Sequence, residues 1–518
     1  MSMRKTFRMI AAMLMGISAT MFVSCADGYS DDPQFVSDVR NTQLTSPDID
    51  KSCFATISTS TGEKIQMTWP LVRGAGGYLV NVAIQSGDTE TPVITDSIVD
   101  GVSVTFSKLE DTKYLTSVKA LGNEKYNNTD ATSASSFVFS TMVEGVTIPQ
   151  GTDVAQFVNN YIAEHKSEMD AALAADPNNY EMAFEMEAGV QYTLEEPVDF
   201  GLYPVTFRSA DKVKRATLTL GENGYITTQA GLKLKFINFD CTKMPAKMGL
   251  LTLGANPDAS ISTESLGYKA QGANQDGFVI EKPVVFQECW VKNLPATLLY
   301  GNAKPWSLRD FRVKDCIIQA ANATNTTPWI NLTGSSNGLI QKITFENSTF
   351  FNTEKNDKEQ YFIRYSNSSN AQPRKIFGDA QNFLEYTVSN CSFLKTNPKK
   401  DFANNMPNTQ KDKQLWIKIE NSVFFDVYRL YQFIQSQWIK TTTNNFMSYS
   451  ADCSPQTTDF GPGGRTDQFG NFYTTKDETQ EISDSALQPL DFSKANGGVN
   501  LQPSGLAGAA KAGDPRWY

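Results

Sequence analysis

One phrase recurs along the middle of this chain at intervals that suit the coils of a solenoid. Ile343-Thr344-Phe345-Glu346-Asn347-Ser348-Thr349-Phe350 returns as Ile417-Lys418-Ile419-Glu420-Asn421-Ser422-Val423-Phe424, and residues 284–291, 311–318 and 386–393 follow the same grammar. Apolar and polar residues alternate, then comes Asn, Asp or Glu, then Cys or Ser, then a large apolar residue. Counted at the Cys/Ser position from Cys289, the steps are 27, 32, 43 and 31 residues. Alternation specifies a strand with one buried face, and recurrence at this spacing stacks each strand on its predecessor. The expected fold is all-β, with a parallel β-solenoid as its main body.

The inward columns are read as Leu234, Val284, Phe311, Ile343, Tyr386 and Ile417, then Phe236, Phe286, Val313, Phe345, Val388 and Ile419. A one-residue slip would turn these groups to water, so register is strongly specified. Asn238, Glu288, Asp315, Asn347, Asn390 and Asn421 are assigned to the bend after the strand. There Asn and Asp tolerate left-handed backbone angles and can bond along a stack. All these residues are read as structural.

Before the solenoid the chain changes character. Arg4, Lys5 and Arg8 precede an apolar run from Met9 to Val23, too short to span a bilayer and suited to a secretory signal, assigned to residues 1–24. Phe22-Val23-Ser24-Cys25 resembles a bacterial lipobox, with Val where Leu is usual. The resemblance implies cleavage before Cys25 and lipidation of its thiol, which fastens the protein to a membrane. Losing the signal moves the formal charge from −10 to −13, which argues against a nucleic-acid partner. Residues 25–49 read as a flexible tether. Within it Ser30-Asp31-Asp32 resembles the acidic export signal of Bacteroidetes surface lipoproteins, implying an outer-membrane position facing the exterior.

Residues 50–145 form a separate module. Lys64-Ile65-Gln66-Met67-Thr68-Trp69, Gly77-Tyr78-Leu79-Val80-Asn81-Val82 and Leu109 with Tyr114, Val118 and Ala120 resemble a fibronectin type III domain, with Trp69 as the core plug between two sheets. The resemblance implies a spacer. Residues 146–178 comprise a linker and a helix from Asp153 to Ala175, read as a plug over the open end of the stack. The β-helix is assigned to 179–480; its first coil, from Phe184 to Leu194, resembles a right-handed, pectate-lyase-like β-helix. Residues 481–518 form a tail that packs on the solenoid through Trp517. Taken whole, the lipobox, fibronectin-like spacer and β-helix resemble domain-of-unknown-function lipoproteins of Bacteroidetes polysaccharide-utilisation systems. That resemblance implies work on extracellular polysaccharide such as pectin, beside a Sus-type outer-membrane glycan importer. It transfers no catalytic residue.

Several chemistries are poorly supplied. His165 is the only histidine, so no multi-histidine metal site can form and a Ser-His-Asp triad would need that residue. Cys289, Cys316 and Cys391 share a column with Ser348 and Ser422, which suits small buried corner groups better than disulfides; no CxxC offers a zinc site. The Gly-His-Gly of polygalacturonase-type β-helix enzymes is missing. A lyase needs only a basic side chain and cation-binding carboxylates, so Arg312, Lys314 and Lys418 are its candidates, with calcium as its cofactor. Without a lyase activity neither metal nor cofactor is expected.

A ligand site is better supplied by two long excursions, Phe351 to Phe383 and Lys395 to Gln414, expected to project side by side. Between 351 and 440 there are thirteen Lys/Arg against nine Asp/Glu, a reversal of sign within an acidic chain. Tyr361, Arg364, Tyr365, Arg374 and Lys375 on the first, with Lys399, Lys400 and Lys411 on the second, suggest a groove for a polyanion, and Trp306 and Trp329 are candidate stacking faces. The sequence therefore points to a non-catalytic, lipid-anchored glycan-binding protein for acidic polysaccharide. A divergent β-helix lyase and a structural surface protein are the alternatives.

Overall fold

The computed structural model describes residues 39–59, 62–268, 276–324, 326–335, 338–356, 358–366, 372–407, 415–430, 439–450, 453, 472–475 and 482–518. The chain divides into two compact units, residues 1–142 and 143–518. Cys25, the signal segment and most of the tether lie outside the described residues, as does Lys411.

The first unit is antiparallel. Its strands are β1 (Phe54–Thr59), β2 (Gly62–Thr68), β3 (Gly77–Ser86), β4 (Thr89–Val99), β5 (Ser103–Ser107), β6 (Lys113–Leu121) and β7 (Ser135–Ser140). They form two sheets, ordered β1-β2-β5 and β4-β3-β6-β7. Alternation places Ile65 and Met67 on one inner face and Tyr78, Val80, Val82, Tyr114, Val118 and Ala120 on the other. Trp69 fills the space between them, edge-on to Tyr78 at 5.4 Å. Tyr114 donates its hydroxyl to the Ser107 carbonyl (3.0 Å) and accepts from the Leu109 N–H (2.8 Å). The Leu109 side chain is about half exposed; its backbone is what Tyr114 holds.

The second unit consists of three long parallel sheets whose strands succeed one another in each coil, the arrangement of a parallel β-helix. Sheet I has eleven strands and runs from Gly145–Ile148 through Met182–Met186 to Ile439–Thr443; sheet II has ten, from Gln191–Leu194 to Phe472–Thr475; sheet III has seven, from Val198–Asp199 to Ala403–Asn404. One strand of each, such as Leu339–Glu346, Thr349–Asn352 and Ile363–Tyr365, makes a coil. Side chains from all three inner faces meet in one continuous core. Within it Phe345 packs against Phe350, Phe362 and Phe393, and Phe350 stacks on Phe393 nearly parallel at 5.0 Å.

The columns hold from Val284 onwards: Val284, Phe311, Ile343, Tyr386 and Ile417 are in register, as are Phe286, Val313, Phe345, Val388 and Ile419. The coil before them is displaced by two from the expected alignment. Leu232 pairs with Val284 and Leu234 with Phe286. Phe236, not Asn238, occupies the bend, at φ 59°. The run from Leu232 to Phe239 breaks its alternation at the Phe236-Ile237 doublet, but the corner lacks the Asn, Asp or Glu of the later ones. In later coils Glu288, Asp315, Asn347, Asn390, Asn421 and Asn444 all take positive φ, which Asn and Asp adopt at least cost. Their side chains bond up the stack: Asn347 donates to Asp315 (3.0 Å), Asn390 to Asn347 (3.0 Å) and Asn444 to Asn421 (2.8 Å).

The neighbouring Cys/Ser column forms a second ladder. The Cys316 N–H donates to Ser348 Oγ (3.0 Å) and the Cys391 N–H to Ser422 Oγ (3.1 Å), while Ser348 and Ser422 donate to carbonyls two residues back. Cys289, Cys316 and Cys391 are free thiols, and burial pushes those of Cys316 and Cys391 up. These cysteines act as corner hydrogen-bonding groups.

Two features were not foreseen. Gly145–Ile148 pairs with Met182–Met186, so sheet I begins before the helical segment and not at residue 179. The helix itself is two helices, α1 (Val154–Glu164) and α2 (Lys166–Ala175), broken at His165, whose ring stacks on Tyr161 at 4.0 Å. Asp153 caps α1 through the Gln156 N–H (3.0 Å) and also accepts from the Glu195 N–H (2.9 Å). Val154, Ala155 and Val158 join the solenoid core, and Asn159 bonds backbone on both sides of sheet III's first strand, at Pro197 and Asp199.

The C-terminal segment lies along the outer face of sheet II. Ile482, Leu487, Leu490, Leu501 and Trp517 pack on Trp290, Ile317, Phe351, Leu394 and Phe425, so Trp517 sits on middle coils rather than the last. Its indole donates to Thr349 Oγ1 (2.9 Å), whose hydroxyl donates to Asp514 (2.9 Å).

Candidate functional site

The outer faces of the three sheets differ in what they offer a ligand. Sheet II is covered over much of its length by the C-terminal segment. On sheet I cations and carboxylates alternate along and between rungs. Lys314 pairs with Glu346 (3.6 Å), Lys342 with Glu385 (2.7 Å), Lys418 with Glu420 (2.5 Å), Arg208 with Glu185 (2.8 Å), and Arg312 with Asp310. The three lyase candidates, Arg312, Lys314 and Lys418, are therefore each engaged with a carboxylate. Among the described residues no group of three or more His, Cys, Asp or Glu is placed to hold a metal ion. Sheet I also presents Trp416, 40 % exposed, beside Phe383 at 6.2 Å.

Sheet III is different. Register aligns Asp199, Thr227, Thr252, Tyr300, Asn331, Arg364 and Asn404 in one outward column. Arg364 is half-buried, its guanidinium lies over the Tyr361 ring at 4.8 Å, and its Nε is buried with no hydrogen-bond partner. Among the described residues it forms no ion pair. Tyr300 stands two rungs away, about 10 Å along the stack at the usual spacing of strands. It was missed in the sequence because its significance depends on which residue of the following coil it aligns with.

The connection from sheet II to sheet III frames this column. Residues 353–356 and 358–362 are tied down by buried carboxamides: Asn356 donates to Gln360 (2.9 Å) and Asn322 (3.1 Å), and Gln360 donates to the Thr327 carbonyl (2.8 Å). Glu359 then meets Lys400 of the next coil at 2.9 Å, and that contact raises the lysine's pKa. Tyr361, Arg364 and Lys400 are thus brought together as expected, with Lys399 exposed beside Lys400 on the same strand.

The rest of the expected groove does not assemble. The second excursion starts later than expected: Ser392–Asp401 is one strand, continued past Leu394 by register shifts and locked by Asp401 against Arg429 at 2.6 and 2.8 Å. Arg374 and Lys375 sit on a short helix, Pro373–Phe377, in the connection from sheet III to sheet I, where Phe377 packs under Arg309 at 3.8 Å. They belong to a different corner from Lys399 and Lys400. Tyr365 is fully buried, its hydroxyl 2.9 Å from that of Tyr386, and burial pushes both phenols up; it has no face for a sugar. Trp306 and Trp329 are also core, their indoles donating to the Gly254 and Thr396 carbonyls (both 3.0 Å). No helix among the described residues is long and apolar enough to cross a membrane.

Comparison with known proteins divides the chain differently from its two units. Residues 2–189 match a family described as a domain of unknown function, DUF4992, and residues 190–353 match another, DUF4957. No curated protein matches the chain.

Proposed function

We propose that this chain is a non-catalytic glycan-binding protein that holds an acidic, pectin-like polysaccharide along the outer face of sheet III. The observation that carries the reading is Arg364, a half-buried guanidinium stacked on Tyr361 with no carboxylate partner among the described residues. A uronate carboxylate supplies the planar, bidentate acceptor that such a group lacks. Tyr300 and Tyr361 offer flat apolar faces to pyranose rings, and Asn404 offers hydrogen bonds on the adjoining rung. The rung spacing is close to the advance of one sugar residue in an extended polymer, so successive sugars along the stack meet successive rungs.

The remaining assignments follow the sequence. Cys25 anchors the protein by lipid at the outer membrane, facing outward, and the glycan is held for a Sus-type importer of a polysaccharide-utilisation system. The three-and-four strand split and the tyrosine at the β5–β6 corner favour a fibronectin type III spacer. The helices α1 and α2 serve as the plug over the first coil of a right-handed β-helix.

Electrophoresis through gels containing polygalacturonate tests the binding. Retardation by that polymer, but not by a neutral glycan, is expected, and Tyr361→Ala should remove most of it. Release of unsaturated sugar ends by the purified protein would replace this reading with a lyase. Equal mobility in all gels would leave a structural surface protein.

A further inference from the structure

The outer face of sheet II changes character along the stack. From Trp290 onwards it is largely apolar, with Thr349 and Ser392 bonded to the C-terminal segment that covers it, but the three earlier rungs present Gln191, Thr217 and Asn238. Where the covered part gives way to the polar part there is a cleft of about 680 Å³. Its walls are the first rungs of sheet II, the segment 212–215 at the corner leading from sheet I, and residues 492–495 of the C-terminal segment. Lys212, Lys214, Arg215 and Lys494 line it, with Glu288 the one carboxylate in the lining and Asp491 paired to Lys494 (3.1 Å) behind the rim.

Three details mark this cleft as more than a basic surface. Arg215 is held in place on two sides: Nε donates to the Glu288 carbonyl (3.0 Å) and the guanidinium lies over the Trp290 indole at 4.5 Å. Its terminal nitrogens form no close ion pair among the described residues; burial from water disfavours its charge, and the nearby Glu288 carboxylate offsets this only in part. Asn238 and Trp290, each more than nine-tenths buried, border the same cleft with an unpartnered amide oxygen and an unpartnered indole N–H. Phe492 adds an aromatic face at the rim.

We propose that this cleft is a second ligand site, which binds a single carboxylate-bearing sugar unit. The carboxylate pairs with the terminal nitrogens of Arg215, oriented in advance by the indole beneath them. Sugar hydroxyls are the groups that supply a donor to Asn238 and an acceptor to Trp290, and lysines around the rim favour the anion. The site shares the acidic-sugar chemistry of sheet III but rests on different residues, on a different sheet.

The test is titration of the full chain with digalacturonate, too short to span several rungs, followed by calorimetry and tryptophan fluorescence. Wild type should bind with a change in indole emission. Arg215→Ala should weaken binding by about tenfold or more, and Arg215→Lys, which keeps the charge but not the fork, by a comparable factor. Arg364→Ala should leave digalacturonate binding unchanged, while weakening the polymer. Should Arg215→Ala melt early, Arg215→Lys and Lys212→Ala carry the test in its place. The proposal is overturned if wild type does not bind digalacturonate, if the Arg215 variants bind as wild type does, or if the neutral methyl ester binds equally well. Loss on Arg364→Ala alone would assign the disaccharide to sheet III and overturn the cleft, whereas failure of the polymer with intact digalacturonate binding would overturn only the sheet III reading.

Discussion

Sheets I and III are wound from the same coils over the same core, yet their outer faces carry charge differently. On sheet I each of the five cations at Arg208, Arg312, Lys314, Lys342 and Lys418 has a carboxylate beside it. On sheet III Arg364 has an aromatic ring and, among the described residues, no carboxylate partner. A face whose charges are satisfied internally has little to gain from an anion, because binding must first break an existing pair. A face that leaves a partly desolvated guanidinium unpaired gains the whole of the new contact. Density of basic residues in the sequence is therefore a poor guide to where an anion binds.

The largest perturbation removes what the two faces share. Phe345→Asp places an uncompensated carboxylate among Phe350, Phe362 and Phe393 and should cost about 5 kcal/mol or more. Urea denaturation should show the solenoid lost or unfolded at much lower denaturant. Unchanged melting would mean that the inward face of sheet I has been misassigned.

Sheet II supplies an intermediate case, a face whose polar groups are buried by the chain's own tail. Asp514 is fully enclosed there, and burial raises its carboxyl to about 6, against opposing contacts from Arg516 and Thr349. Between about pH 4 and 6 the folded state keeps a proton that the unfolded chain has lost. This group's contribution therefore falls as pH rises through that window, by up to roughly 3 kcal/mol, and is constant above it. Asp514→Asn should flatten that part of the stability-versus-pH curve. An identical slope in both proteins would show that Asp514 is ionised throughout.

The smallest effect belongs to sheet I itself. A double-mutant cycle on Lys314 and Glu346, 3.6 Å apart and both substantially exposed, should give a coupling below about 1 kcal/mol that fades with salt. A larger coupling would make that face a stabilising network rather than a solvated one.

The sequence made the repeat legible because alternation and corner chemistry are local. Phe345 and Ile419 could be placed inside from their own octets. Other features depend on alignments that no octet contains. The coil at Leu232 was displaced by two because a Phe took the left-handed corner where Asn was expected. Gly145–Ile148 is four residues long and separated from its partner strand by two helices. Tyr365 reads as a loop aromatic until Tyr386, twenty-one residues on, is found to hold its hydroxyl. Arg374 and Lys400 looked like neighbours because both follow long departures from the repeat, but those departures leave different corners. Three of the named charge pairs on sheet I, those of Arg208, Lys314 and Lys342, form only across rungs.

The central claim is that anion binding resides on the unpaired face and not on the more heavily charged one. Its most direct test is isothermal titration of polygalacturonate at low and moderate salt into three proteins: wild type, Arg364→Ala, and the sheet I variant Lys314→Ala/Lys418→Ala. The account predicts a loss of about tenfold or more for Arg364→Ala and a change of less than about twofold for the double variant, with wild-type affinity falling as salt rises. Equal affinity in wild type and Arg364→Ala, with a loss in the sheet I variant, would contradict it.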